Sequence, residues 1–163
     1  MRSRIKELPD KNNIFNMEER PIYFEMVTKT TITKIGTKSL NVKTHGGEHL
    51  RITVMLEIGA KGIRLPSLVV FKGKKDGVKE ERLQKYIKKN NRKIIALCQD
   101  NAWADREIFI KWLNYAFFNN KYVSNMLDKI LVIDRATTHY DNKLLSLLKE
   151  KKCFICSYSA RFN

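Results

Sequence analysis

The chain has 163 residues, 32 Lys and Arg against 17 Asp and Glu, and a formal net charge of +15. A domain of about 150 residues buries roughly 70% of the surface its unfolded chain exposes, so one domain with a real core is expected and a second is not. The charge is far from the balance of an ordinary metabolic enzyme and points to a polyanion partner, with solvated lysines on an otherwise neutral domain as the alternative.

The 43% hydrophobic residues exceed what a disordered chain contains. No run of about 20 apolar residues is present, and the lead-in "MRSRIKELPDKNN", residues 1–13, lacks the apolar centre of a signal peptide. The expectation is one domain over residues 14–163 and no membrane partner.

In chain order, "IFNMEERPIYFEM" offers an interrupted extended segment around Ile22 and Phe24. "SLNVKT" and "HLRITVMLEIG" read as strands joined by an "HGGE" turn. His45 and His49 could be taken for a metal pair, but the glycines between them favour the turn. In the second strand Leu50, Ile52, Val54, Leu56 and Ile58 alternate with Arg51, Thr53, Met55 and Glu57, which predicts that the first set faces the core. "LPSLVVFKG" completes three antiparallel strands.

Residues 72–93 then carry ten Lys or Arg and three acids. They read as a mobile basic loop with one short helix, suited to phosphate through Lys72, Lys74, Lys75, Lys88, Lys89, Arg92 and Lys93. A solvated connector is the competing reading.

"KIIALC" follows as a strand, and then a helix capped by Asp105. Ile108, Phe109, Trp112, Leu113, Ala116 and Phe117 share one face of it. "KILVID", a helix "DNKLLSLLKEKK" with Leu144, Leu145 and Leu148 inward, and a strand "CFICSY" complete the order. Strands alternating with helices imply parallel pairing, and an apolar run such as "ILVI" suits a strand covered on both faces. Cys98, Cys153 and Cys156 lie in apolar stretches and read as free core thiols; "CFIC" has no second pair with which to hold zinc. Three antiparallel strands followed by two parallel ones, flanked by helices, is the order of the α/β RNase H-like fold. Neither GxGxxG nor GxxxxGK followed by Ser or Thr occurs, which removes the usual support for a dinucleotide or P-loop site.

Asp134 closes the apolar run, either as a turn residue or as a site acid. The blocks "FNMEERPIYF", "QDNAWAD" and "ILVIDRATTH", with the three strands of residues 39–73, together resemble the catalytic domain of DDE-superfamily transposases, the pogo, Tigger and jerky kin of mariner-like elements and their centromere-protein relatives. In that family a strand bearing N-M-D-E-T/S supplies the first acid; here Glu18 stands at that place and Arg20 replaces a small hydroxyl residue. A motif L-x-x-D-S/N-x-x-x-H supplies the second acid and matches Asp134, with His139 near the family histidine.

The resemblance implies that Glu18 and Asp134 are catalytic metal ligands for Mg²⁺ or Mn²⁺, since paired carboxylates at strand ends can bridge two divalent ions. It further implies a DNA partner and a nuclear location, and leaves open pairing with a full-length transposase relative. The family's third acid lies in a segment P-x-x-S/T-S-x-x-Q-P-x-D, but no carboxylate follows Glu150 here. The expectation is therefore a fold incomplete at its C-terminal end that binds DNA without cutting it. An active metal-dependent endonuclease with an acid borrowed from elsewhere is the second reading, and a structural remnant the third.

Overall fold

The computed structural model describes residues 13–25, 32–38, 50–90, 93–126, 128–134 and 142–158. Strand β1 (Ile14–Tyr23) is followed by β2 (Arg51–Gly59), β3 (Ser67–Lys72), helix α1 (Val78–Lys89) and β4 (Ile94–Gln99). Then come α2 (Arg106–Trp112), continuing as a π-helical turn over Leu113–Phe118, the short α3 (Lys121–Ser124), β5 (Lys129–Asp134), α4 (Asn142–Glu150) and β6 (Cys153–Tyr158). Among the described residues six strands form one mixed sheet in the order β4-β3-β2-β1-β5-β6. β2 runs antiparallel to both its neighbours, β1 and β3, while β5 runs parallel to β1 and β6 parallel to β5. This is the RNase H-like arrangement.

Two strand assignments differ from the sequence reading, and a third cannot be compared. The first antiparallel strand is Ile14–Tyr23, ten residues that run through Pro21. β5 pairs with β1 only as far as Asn16, which leaves the β5-side edge of β1 without ladder bonds where proline would have to donate one. The "SLNVKT" strand, the "HGGE" turn, His45 and His49 lie outside the described residues. "KIIALC" forms β4, parallel to β3 at the far edge of the sheet, away from β5.

The largest correction concerns β2. Its buried residues are Thr53, Met55, Glu57 and Gly59, whereas Leu50, Leu56 and Ile58 are about half exposed. Alternation was legible, but a period of two is unchanged when the strand is turned over, and the inward face is set by what packs there. Phe15 and Met17 of β1 and Leu68 and Val70 of β3 bury on that face with α2 above them. Phe15 stands edge-on to Phe117 with ring centroids 5.3 Å apart. Gly59 lies against the same ring, where an added Cβ would come within 2.9 Å of Phe15 Cε1, so a side chain would displace the aromatic contact.

Helix α2 forms as expected. The Asp105 carboxylate accepts from the Ile108 N–H at 3.0 Å, and all six predicted inward residues are buried. In α4, Leu144 and Leu148 are buried but Leu145 is 41% exposed. A helix of about two turns resting on a sheet buries one narrow i, i+4 stripe, and Leu145 falls outside it.

The basic segment is mainly helix. Glu80 and Glu81 occupy the first turn of α1 and Lys88 and Lys89 the last, which complements the helix dipole at both ends. The helix caps the outer edge of β4: Glu80 Oε2 accepts from the Cys98 N–H at 2.6 Å, and the Gln84 amide donates to the Ala96 carbonyl. These bonds occupy backbone groups that an edge strand would leave open to another chain.

Candidate acidic site and nucleic-acid interface

The β1–β5 pairing ends at Asn16 and Val132, two residues before Glu18 of β1 and Asp134 of β5. Asp134 is the last residue of its strand, as expected. Glu18 lies mid-strand, because β1 continues to Tyr23 along β2. Its carboxylate pairs with Arg20 at 2.9 Å, and the two side chains are 35% and 60% exposed.

The sequence reading did not single out Glu19. It shares the inward parity of Phe15 and Met17, and burial pushes its carboxyl above the usual range. The Asp134 charge adds to that rise and Glu18 adds a smaller amount, while the Ala104 backbone N–H and the Arg51 guanidinium oppose it. Strand alternation starting from Phe15 could have found Glu19.

For divalent ions, hard carboxylate oxygens in sufficient number are the requirement. Among the described residues no three His, Cys, Asp or Glu side chains are gathered so as to hold a metal ion. Of the β1 acids, Glu18 is paired with Arg20, and the Glu19 carboxyl lies above its ordinary range. His139 lies outside the described residues. Cys98, Cys153 and Cys156 are free thiols, the first two buried.

The lysines singled out for phosphate separate into two groups. Lys72, Lys74, Lys88, Lys89 and Lys93 are exposed. Lys75 is engaged: its Nζ lies 2.9 Å from both Asp105 Oδ2 and Glu107 Oε2. Together with Lys111, 2.8 Å from Asp76, it ties residues 75 and 76 to α2. Arg92 lies outside the described residues. No helix among the described residues is long and apolar enough to cross a membrane.

A family model for the DDE superfamily endonuclease matches residues 49–155. The chain is 41% identical over 58 residues to a mouse (Mus musculus) protein described as a pogo transposable element with KRAB domain, the match covering 36% of this chain and 10% of that protein. The human (Homo sapiens) protein of the same description is 40% identical over 58 residues, with the same coverage. The match therefore spans about a tenth of these relatives. Among solved structures, a pre-cleavage Mos1 transpososome aligns with a TM-score of 0.49 at 13% identity, covering 97% of this chain and 40% of that one. The catalytic domain of Mos1 mariner transposase aligns with a TM-score of 0.45 at 13% identity, covering 98% and 55%.

Proposed function

Because the chain belongs to the DDE superfamily endonuclease family, we propose that it is a transposase-derived domain that binds DNA through its basic surface and does not by itself cleave it. The observation that carries the binding reading is the net charge of +15 together with exposed lysines along α1 and its flanks. Lys88 and Lys89 at the end of α1, with Lys72, Lys74 and Lys93, would neutralise phosphates and release counterions. Arg92 belongs to the same proposal by sequence position. A DNA ligand puts the working location in the nucleus, which imaging of a fluorescent fusion would check. Association with a full-length transposase relative would be read by co-purification.

The absence of cutting follows from ligand number. Glu18 and Asp134 offer two carboxylates to ions carrying four positive charges in total, and the Arg20 pairing competes for one of them. The second reading, an endonuclease completed by an acid from another subunit or segment, is favoured by one observation: Glu19 adds a carboxyl on which the Asp134 charge acts.

The test is nicking of supercoiled plasmid by the purified chain with Mg²⁺ or Mn²⁺, beside a gel-shift titration of duplex DNA. Shifted DNA without nicks is expected. Nicking that disappears in Asp134→Ala would establish the second reading, and no salt-sensitive shift would remove the first.

A further inference from the structure

Trp103 is 60% exposed, although its neighbours Ala102 and Ala104 are only 1% and 7% exposed. Looseness of the loop does not explain this exposure. The Gln99 side-chain oxygen accepts from the backbone N–H groups of Asn101 at 2.7 Å and Trp103 at 3.1 Å. The Gln99 carbonyl accepts from Ala102 N–H at 2.9 Å, and the Ala102 carbonyl accepts from the Thr53 hydroxyl at 2.7 Å. Ala102 is held at φ 56°, a left-handed conformation that a β-carbon disfavours and that persists only where the surroundings fix it. The fold therefore fixes the backbone that holds the indole outward.

Around the indole is a cleft of about 380 Å³ lined by Tyr23, Arg51, Lys72, Asn101 and Trp103. The Arg51 guanidinium carbon lies 4.9 Å from the centroid of the Trp103 ring, and Arg51 Nη1 is 3.5 Å from the Tyr23 hydroxyl. Among the described residues, two aromatic rings, two cations and an amide line the cleft, with no carboxylate. That lining suits a ligand with a flat π-face and a negative charge. Arginine stacked on an aromatic ring still presents its N–H edge to an anion, which lysine cannot do.

We propose that Tyr23, Arg51, Lys72, Asn101 and Trp103 form a subsite for one unpaired nucleotide of single-stranded DNA, an assignment that rests on the DNA-binding reading above. The base stacks on Trp103, the phosphate meets Arg51 and Lys72, and Asn101 faces the base edge. Bases in a duplex are already stacked on one another and cannot enter, so the subsite distinguishes single strands from duplex. It also lies beside the acidic site, because Arg51 acts on the Glu19 carboxyl and Ala104 hydrogen-bonds it.

Trp112 is fully buried and Trp103 is the other tryptophan of the chain, so quenching of indole emission by DNA reports on Trp103. The full chain is titrated with an oligo(dT) of about 10 nucleotides, within the span of about 4–16 that single-strand binding folds cover. Parallel titrations use a duplex and an oligo(U) of the same length. Oligo(dT) is expected to quench, and Trp103→Ala to weaken oligo(dT) binding about tenfold, the scale of a single base–aromatic stack. Duplex affinity should stay unchanged, Trp103→Phe should recover part of the affinity, and Arg51→Lys, which keeps the charge, should also weaken oligo(dT). Trp112 emission that stays blue-shifted in each variant shows that the fold is kept.

Equal weakening on single strand and duplex, or none on either, would overturn the subsite. Preference for oligo(U) over oligo(dT) would overturn its assignment to DNA. A chain that binds neither oligonucleotide nor duplex overturns the DNA-binding reading as well, whereas duplex binding with oligo(dT) affinity indifferent to Trp103 overturns the subsite alone.

Discussion

Glu18 and Glu19 are consecutive on β1 yet answer to different partners: Glu18 pairs with Arg20 at 2.9 Å, while Glu19 is hydrogen-bonded by the Ala104 N–H and feels the Asp134 charge. Strand alternation separates them, since neighbours along a strand point to opposite faces.

Substitution should therefore distinguish the two. Burial, then Asp134, raises the Glu19 carboxyl above its ordinary 4.5. A raised folded value means that its contribution to stability is fully present below the unfolded value and is lost as pH rises through the folded one. Glu19→Gln should raise the unfolding midpoint relative to the parent on the alkaline side and lose that advantage in acid. Glu18→Gln loses a solvent-screened pair worth about 0–1 kcal/mol and should show no such alkaline gain. Urea midpoints across pH decide the matter, and equal profiles for the two variants would contradict it.

Lys88 and Lys89 are exposed in the last turn of α1, whereas Lys75 already lies between Asp105 and Glu107. Replacing Lys88 and Lys89 with Ala should lower the slope of log affinity against log salt on duplex DNA by about 0.9 for each phosphate no longer neutralised. Lys75→Ala should leave the slope unchanged and cost up to about 1 kcal/mol of stability. A slope change confined to Lys75→Ala would move the phosphate-binding surface to residues 72–76.

Glu57 is 7% exposed, and neither carboxyl oxygen has a hydrogen-bond partner among the described residues. Burial pushes its carboxyl from 4.5 to about 9, so the folded chain keeps a proton there that the unfolded chain releases. The stability this provides is complete below 4.5 and declines as pH rises toward about 9. For a one-proton difference the decline is about 1.4 kcal/mol per pH unit. Glu57→Gln should flatten that part of the profile. A parent and variant that fall in parallel between those limits would show that Glu57 ionises without penalty.

Asp105 carries a cap and an ion pair together. Burial opposes its ionisation, but the Ile108 N–H, Lys75 and Gln99 outweigh that and hold the carboxyl below its ordinary 3.8. With a lowered folded value, its contribution is present above the unfolded value and is lost as pH falls through the folded one. Asp105→Ala should cost about 1 kcal/mol at neutral pH, and the deficit should shrink in acid below 3.8. Asp105→Asn keeps an oxygen for the cap and should lose less. Equal costs for the two substitutions, unchanged in acid, would assign the effect to packing.

The sequence by itself determined the strands from Arg51 onward, the Asp105 cap, the inward face of α2 and the placement of Asp134 at a strand end, because each rests on residues within a few positions of one another. Only tertiary structure decided which face of β2 is buried, since a two-residue period reads the same from either side and the choice depends on α2 and the Phe15–Phe117 contact. The same holds for Glu19, whose environment is made by Ala104, Arg51 and Asp134 from three distant segments. Residues 78–89 show little apolar pattern because α1 turns Glu80 and Gln84 toward the edge of β4 and forms hydrogen bonds there. Hydropathy does not register a helix that docks through hydrogen bonds, so the chemistry at that edge became visible only once α1 and β4 were side by side.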